Sequence, residues 1–143
     1  MGEPIIQHQT FIRAEPARLF ALLTSAEGWD AWFTQGTTLD LEAREIRLRW
    51  REWGPQRVTL EDGGPILEYK PPTRFAFQWS PLREHPTRVM IVITPMDDGS
   101  VVTLRESGYP DTELARQVMV GCATGWGEAL TLLKFYVEHG IRY

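Results

Sequence analysis

Apolar positions along this chain repeat with two periods, and the switch between them divides it into elements. From Asp111 to His139, the residues Leu114, Val118, Cys122, Trp126, Ala129, Leu130, Leu133 and Val137 recur at spacings of three and four, which predicts one apolar stripe on a long helix. Asp111 is suited to cap its amino end and Gly140 to stop it. At 1.5 Å per residue the helix is about 43 Å long. Gly121, Gly125 and Gly127 lie inside it, each costing on the order of 1 kcal/mol relative to alanine. Close backbone packing, or space kept for a guest, has to offset that.

Ahead of the helix the period is mostly two. Ile5 to Arg13 alternates as a strand with both faces partly apolar. Ala14-Glu15-Pro16 opens a helix whose buried face is Leu19, Phe20 and Leu23. Ser25 caps a second short helix, on which Trp29, Trp32 and Phe33 share a face. From Thr37 the alternation resumes: Leu39 and Leu41, then Ile46, Leu48 and Trp50 against Arg47, Arg49 and Arg51. Trp53-Gly54-Pro55 breaks that strand, Val58 and Leu60 continue the pattern, and Asp62-Gly63-Gly64-Pro65 reads as a turn or bulge. Ile66 to Tyr69 is a short strand stopped by Pro71-Pro72, and Phe75, Phe77 and Trp79 mark the next one. Arg88 to Thr94 and Ser100 to Ser107 pair through a hairpin turn with Asp98-Gly99 at its tip. Strands joined by short turns pair antiparallel, and a sheet with one apolar face needs a cover. The long helix is the one available. The expected fold is a single α+β domain in which a curved sheet wraps the carboxy-terminal helix.

Composition narrows the function classes. The 143 residues suit one domain, and 43% hydrophobic with 24% charged residues is ordinary for a soluble protein. No apolar run approaches a membrane span. Met1 to Gln9 lacks the pattern of a secretory signal and the serine or threonine of a myristoylation motif. A single cysteine, Cys122, forms no internal disulfide and points to a cytoplasmic location. The net charge of −4 argues against nucleic acid. Thirteen arginines against Lys70 and Lys134, and no asparagine at all, are a hint about the source organism and not about function.

Candidate chemistry is sparse. There is no HExxH, CxxC, phosphate-binding glycine loop or Gly-x-Ser-x-Gly, so neither a metal nor a cofactor is expected. His8 is either a ligand contact or a satisfied strand histidine. Glu106 shares a strand face with Val102 and Leu104. Desolvated there, it can act as a general base or ligand anchor; otherwise it pairs with an arginine such as Arg88 or Arg105, or sits at a wet rim. Cys122 is either a small core residue or a reactive thiol. Trp32, Phe33, Trp50, Phe77, Trp79 and Trp126 either line one chamber, with Cys122 and Leu130 on the helix stripe facing it, or fill the core. The arginines Arg47, Arg49 and Arg51 read as a solvated face balanced by Glu42, Glu45 and Glu52.

The chain resembles the helix-grip domains of the START-like (SRPBCC) superfamily. More narrowly it is similar to homologues of the carboxy-terminal domain of the heat-shock-protein-90 ATPase activator. The resemblance rests on Ala14 and Pro16 followed by Leu19-Phe20-Ala21-Leu22-Leu23-Thr24, then on Trp29, Trp32 and Phe33, and on Ile66-Leu67-Glu68-Tyr69-Lys70-Pro71-Pro72. Phe75-Ala76-Phe77-Gln78-Trp79, Val101 through Tyr109, and Gly125-Trp126 with Leu130 and Leu133 complete it. It implies about seven strands, two short helices after the first, and a cavity between sheet and long helix that takes an apolar or aromatic, lipid- or polyketide-like molecule. It departs near Arg44 to Gly64, where Arg47-Leu48-Arg49-Trp50-Arg51-Glu52-Trp53 stands in place of an acidic residue and paired glycines. The eukaryotic activator also carries an amino-terminal domain that docks on the chaperone, and co-chaperone activity is not expected to carry over. The expected function is therefore non-enzymatic binding of a small molecule, with a homodimer allowed for. A cyclase or hydrolase using Glu106 or His8 is the alternative, and a protein-interaction module is a third.

Overall fold

The computed structural model describes residues 3–143. Met1 and Gly2, part of the segment read above for a leader and a myristoyl signal, lie outside the described residues. The elements run β1 (Ile6–Ile12), α1 (Pro16–Leu23), α2 (Ala26–Trp32), β2 (Thr38–Asp40), β3 (Glu45–Trp53), β4 (Val58–Lys70), β5 (Arg74–Trp79), β6 (Thr87–Met96), β7 (Gly99–Ser107) and α3 (Glu113–His139). The strands form one sheet in the order β1-β7-β6-β5-β4-β3-β2, antiparallel at every pairing. The two short helices carry the chain from one edge strand, β1, to the other, β2. The sheet curves around α3, as the strand pattern requires.

Local chemistry sets most boundaries. Pro16 opens α1, whose Leu19, Phe20 and Leu23 are buried. Ser25 caps α2, its hydroxyl accepting from the Gly28 N–H at 3.0 Å. Gly140 ends α3 in the left-handed conformation at φ 67°. The cap at the other end of α3 is Thr112 and not Asp111: the Thr112 hydroxyl accepts from the Ala115 N–H at 3.1 Å, while Asp111 pairs with Arg116 at 2.6 Å.

One turn predicted from glycine is a continuous strand, and the tip of another is displaced by one residue. Asp62 to Pro65 runs inside β4, with Asp62 opposite Leu48 and Pro65 opposite Glu45. Gly63 is there because a Cβ would stand 2.1 Å from the Ile46 carbonyl oxygen of β3. The glycine thus marks a close strand approach, and Val58 to Tyr69 is one continuous strand where two were expected. At the β6–β7 hairpin Met96 pairs with Gly99, so the tip is Asp97-Asp98. Gly99 lies in β7, where a Cβ would meet the Ile12 carbonyl oxygen at 2.4 Å.

The helix stripe is seated unevenly. Trp126, Ala129, Leu130, Leu133 and Val137 are buried, but Leu114 is 62% exposed, Ala115 takes the buried position beside it, and Val118 and Cys122 are only partly covered. The carboxy-terminal half of α3 is the core half. Polar ties to the sheet edge fix it there: His8 Nε2 lies 2.7 Å from the Ala123 carbonyl, Lys134 Nζ donates to the Phe11 carbonyl, and the Arg13 N–H donates to Glu138 at 3.0 Å. Leu133→Ala is therefore expected to cost about 3 kcal/mol, and Leu114→Ala less than about 0.5 kcal/mol, by urea denaturation. Similar losses at the two positions would contradict the uneven seating.

Candidate functional site

The aromatic residues separate into a core set and a cleft set. Trp29, Trp32, Phe75 and Phe77 are fully buried. Trp29 donates its indole N–H to the Leu23 carbonyl at 2.8 Å, and Trp32 stacks on Phe33 with centroids 5.3 Å apart. A second set makes a stepped wall. Phe33 meets Trp53 at 87° and Trp50 at 75°, Trp50 meets Trp79 at 86°, and Trp79 meets Trp126 at 53° with centroids 5.1 Å apart. Edge-to-face packing of this kind stabilises rings without closing the space in front of them.

That space is a cleft of about 500 Å³. Its sheet side is Trp50, Trp53 and Trp79 with Val58 and Leu60, both exposed, and with Asp62, and Phe33 borders it from the end of α2. Its helix side is Val118, Gly121, Cys122, Gly125 and Trp126. Cβ atoms built at Gly121 and Gly125 meet nothing within 4 Å, so these two glycines border open space. Gly127 does not. A Cβ there would lie 3.1 Å from the His8 ring, and this glycine lets β1 and α3 approach.

Of the residues singled out in the sequence, Phe33, Trp50, Trp79, Cys122 and Trp126 line the cleft. Trp32, Phe77 and Leu130 pack in the core behind it. His8 is bonded to the α3 backbone and is not part of the lining. Trp53 and Asp62 line the cleft and were missed. In the sequence Trp53 marks only a strand end beside Gly54-Pro55, and Asp62 only a turn or bulge. The strand alternation of Leu60 and Asp62 was the available signal for the latter.

Glu106 is the least solvated carboxylate, 0% exposed, on the face it shares with Val102 and Leu104. It meets no arginine: Arg88 pairs with Glu68 at 3.2 Å. Its two oxygens instead accept from the Trp126 indole N–H at 2.9 Å and the Thr87 hydroxyl at 2.6 Å. Burial pushes its pKa above the usual value of 4.5, against the lowering effect of the hydrogen bonds from Thr87 and Trp126. Asp62 is raised as well by burial, although the Ser80 and Gly63 N–H groups bind it. Burial pushes the Cys122 thiol up to about 11, which favours its protonated form at neutral pH. The Tyr109 hydroxyl is buried between these groups without a hydrogen-bond partner. The arginine face is balanced by Glu61, 2.8 Å from Arg49 and 4.0 Å from Arg47, and not by Glu42, Glu45 or Glu52. Among the described residues, no cluster of His, Cys, Asp and Glu is arranged to hold a metal ion, and no helix is long and apolar enough to cross a membrane.

A seven-stranded antiparallel sheet gripping a long terminal helix, with an aromatic cleft between them, defines a helix-grip protein of the START-like class. Residues 13–138 match the family described as activator of Hsp90 ATPase homolog 1-like protein, and the chain belongs to that family. Solved structures agree on the fold. A protein from Staphylococcus saprophyticus is 24% identical with a TM-score of 0.76, covering 98% of this chain and 96% of its own. An AHSA1-like protein from Aeromonas hydrophila is 17% identical with a TM-score of 0.75, covering 96% and 94%. The Aha1 dimer from Colwellia psychrerythraea is 17% identical with a TM-score of 0.70, covering 96% and 98%. No curated protein is significantly similar in sequence.

The Glu106 environment sets the sign of a pH effect. Its raised pKa means the folded state holds the proton more tightly than the unfolded chain, so its contribution falls as pH rises above about 4.5. Glu106→Gln keeps an acceptor for Trp126 and supplies a donor for Thr87. The variant should gain stability relative to the parent between pH 4 and pH 8, as followed by urea denaturation. A stability difference that stays constant across that range would mean Glu106 ionises freely in the fold.

Proposed function

We propose that the protein binds an apolar or amphipathic small molecule in the cleft, without converting it. The observation that carries this reading is the pair Gly121 and Gly125 on α3, bordering open space in a cleft whose sheet side holds Trp50 and Trp79. Helix glycines that pack against nothing cost stability, and leaving room for a guest is what would offset that cost. A concave, mostly apolar site with a few polar groups is the usual form of a small-molecule pocket. The family's fold supports the same reading, since it commonly holds hydrophobic ligands.

Catalysis by Glu106 or His8 is less well supported. Neither lines the cleft, and the Glu106 carboxylate is committed to Trp126 and Thr87. The dimeric Colwellia relative supports a homodimer as a further proposal, and a single free cysteine, Cys122, supports a cytoplasmic location.

Filling the cleft from the helix side separates binding from folding. Gly125→Leu puts a side chain into open space and replaces a poor helix former, so stability should hold or rise by up to about 1 kcal/mol. The variant should lose at least about tenfold in affinity for N-phenyl-1-naphthylamine, a neutral fluorescent probe. Unchanged probe binding in the variant, or no binding by the parent protein, would contradict the proposed site.

A further inference from the structure

The charge of the cleft points to the charge of its guest; this inference rests on the cleft being a ligand site. The charged side chains in its lining are Glu61, Asp62 and Glu128, with no lysine or arginine among them. Glu61 is already answered by Arg49 and Arg47. The other two are not. Asp62 accepts from the main-chain N–H groups of Gly63 at 2.7 Å and Ser80 at 3.1 Å and forms no ion pair, Arg47 acting on it only at a distance. Glu128 is exposed and stands outside every ion pair of the described residues. Burial disfavours the ionised form of Asp62, and a cation beside it would restore that form.

The aromatic wall adds an independent argument. Rings set at 75° and 86° to one another, as in Phe33–Trp50–Trp79, form the corner of a box. That corner borders the cleft, which Phe33, Trp50 and Trp79 all line. The Trp126 indole N–H is taken by Glu106, so that ring meets the guest as π surface and not as a donor. Aromatic faces with nearby carboxylates attract organic cations, and tryptophan does so most strongly. An anionic lipid or fatty acid would instead place its head against two uncompensated carboxylates.

We propose that the ligand is an organic cation, an amphipathic amine or quaternary ammonium, whose charged head lies against Trp50, Trp79 and Trp126 with Asp62 and Glu128 as counter-charges. The test uses three probes of one shape. Benzyltrimethylammonium is the cation, neopentylbenzene its neutral carbon isostere, and phenylmethanesulfonate the anion. Tryptophan fluorescence titration of the intact chain is expected to give the cation at least roughly tenfold higher affinity than the neutral isostere, with the anion weakest. Glu128→Gln and Asp62→Asn should each lower the affinity for the cation, by roughly three- to tenfold, and leave the neutral isostere unchanged. Glu128 is exposed, so its variant keeps the test valid if Asp62→Asn disturbs β4. Equal or tighter binding of the neutral or anionic probe overturns the charge assignment and leaves the cleft as a ligand site. Absence of binding by all three probes and by N-phenyl-1-naphthylamine overturns both.

Discussion

A carboxylate taken fully out of water with no cation to meet it is the constraint that organises this fold. Glu106 on β7 is held by the Thr87 hydroxyl from β6 and by the Trp126 indole from α3. An unpaired buried charge is costly, and the protein's answer is to hold the carboxyl with two hydrogen bonds and to favour its protonated form. The bond to Trp126 fixes where α3 crosses the sheet. On the carboxy-terminal side of that point the helix is core, through Ala129, Leu130, Leu133 and Val137. On the amino-terminal side it is only partly covered, and the cleft lies there.

The same division explains how the aromatic residues are used. Trp29, Trp32 and Phe77 are spent on packing, each without exposed surface worth mentioning. Phe33, Trp50 and Trp79 pack edge to face and Trp126 tilts against Trp79, so these rings are held in place by their neighbours and still border a space. A rigid wall loses little conformational entropy when a guest arrives. On α3, beside Trp126 and opposite the sheet residues Trp50 and Trp79, Gly121 and Gly125 keep the opening at the expense of helix stability. Gly127, two residues on, serves the opposite purpose by letting His8 close against the Ala123 carbonyl.

Much of the fold was legible because period and capping are local. The alternation of Ile46, Leu48 and Trp50, the Ser25 cap and the Gly140 stop all follow from neighbours in sequence. The readings that failed needed a partner strand. Gly63 and Gly99 looked like turn residues, and their reason is a carbonyl on the adjacent strand. The inward face of Glu106 was readable from Val102 and Leu104, but its bond to Trp126 joins positions that only the fold brings together. Trp32 and Phe77 could not be told from Trp50 and Trp79 by pattern, since core and cleft positions on one sheet face share a period. Asp62 was lost with the supposed turn that contained it.

A guest received in the space before Trp50, Trp79 and Trp126 is reported directly by indole resonances. The six tryptophans give six indole N–H signals in a proton–nitrogen correlation spectrum. Titration with N-phenyl-1-naphthylamine should move those of Trp50, Trp53, Trp79 and Trp126 and leave the core residues Trp29 and Trp32 in place. Signals that all stay still, or shifts largest at Trp29 and Trp32, would contradict binding there.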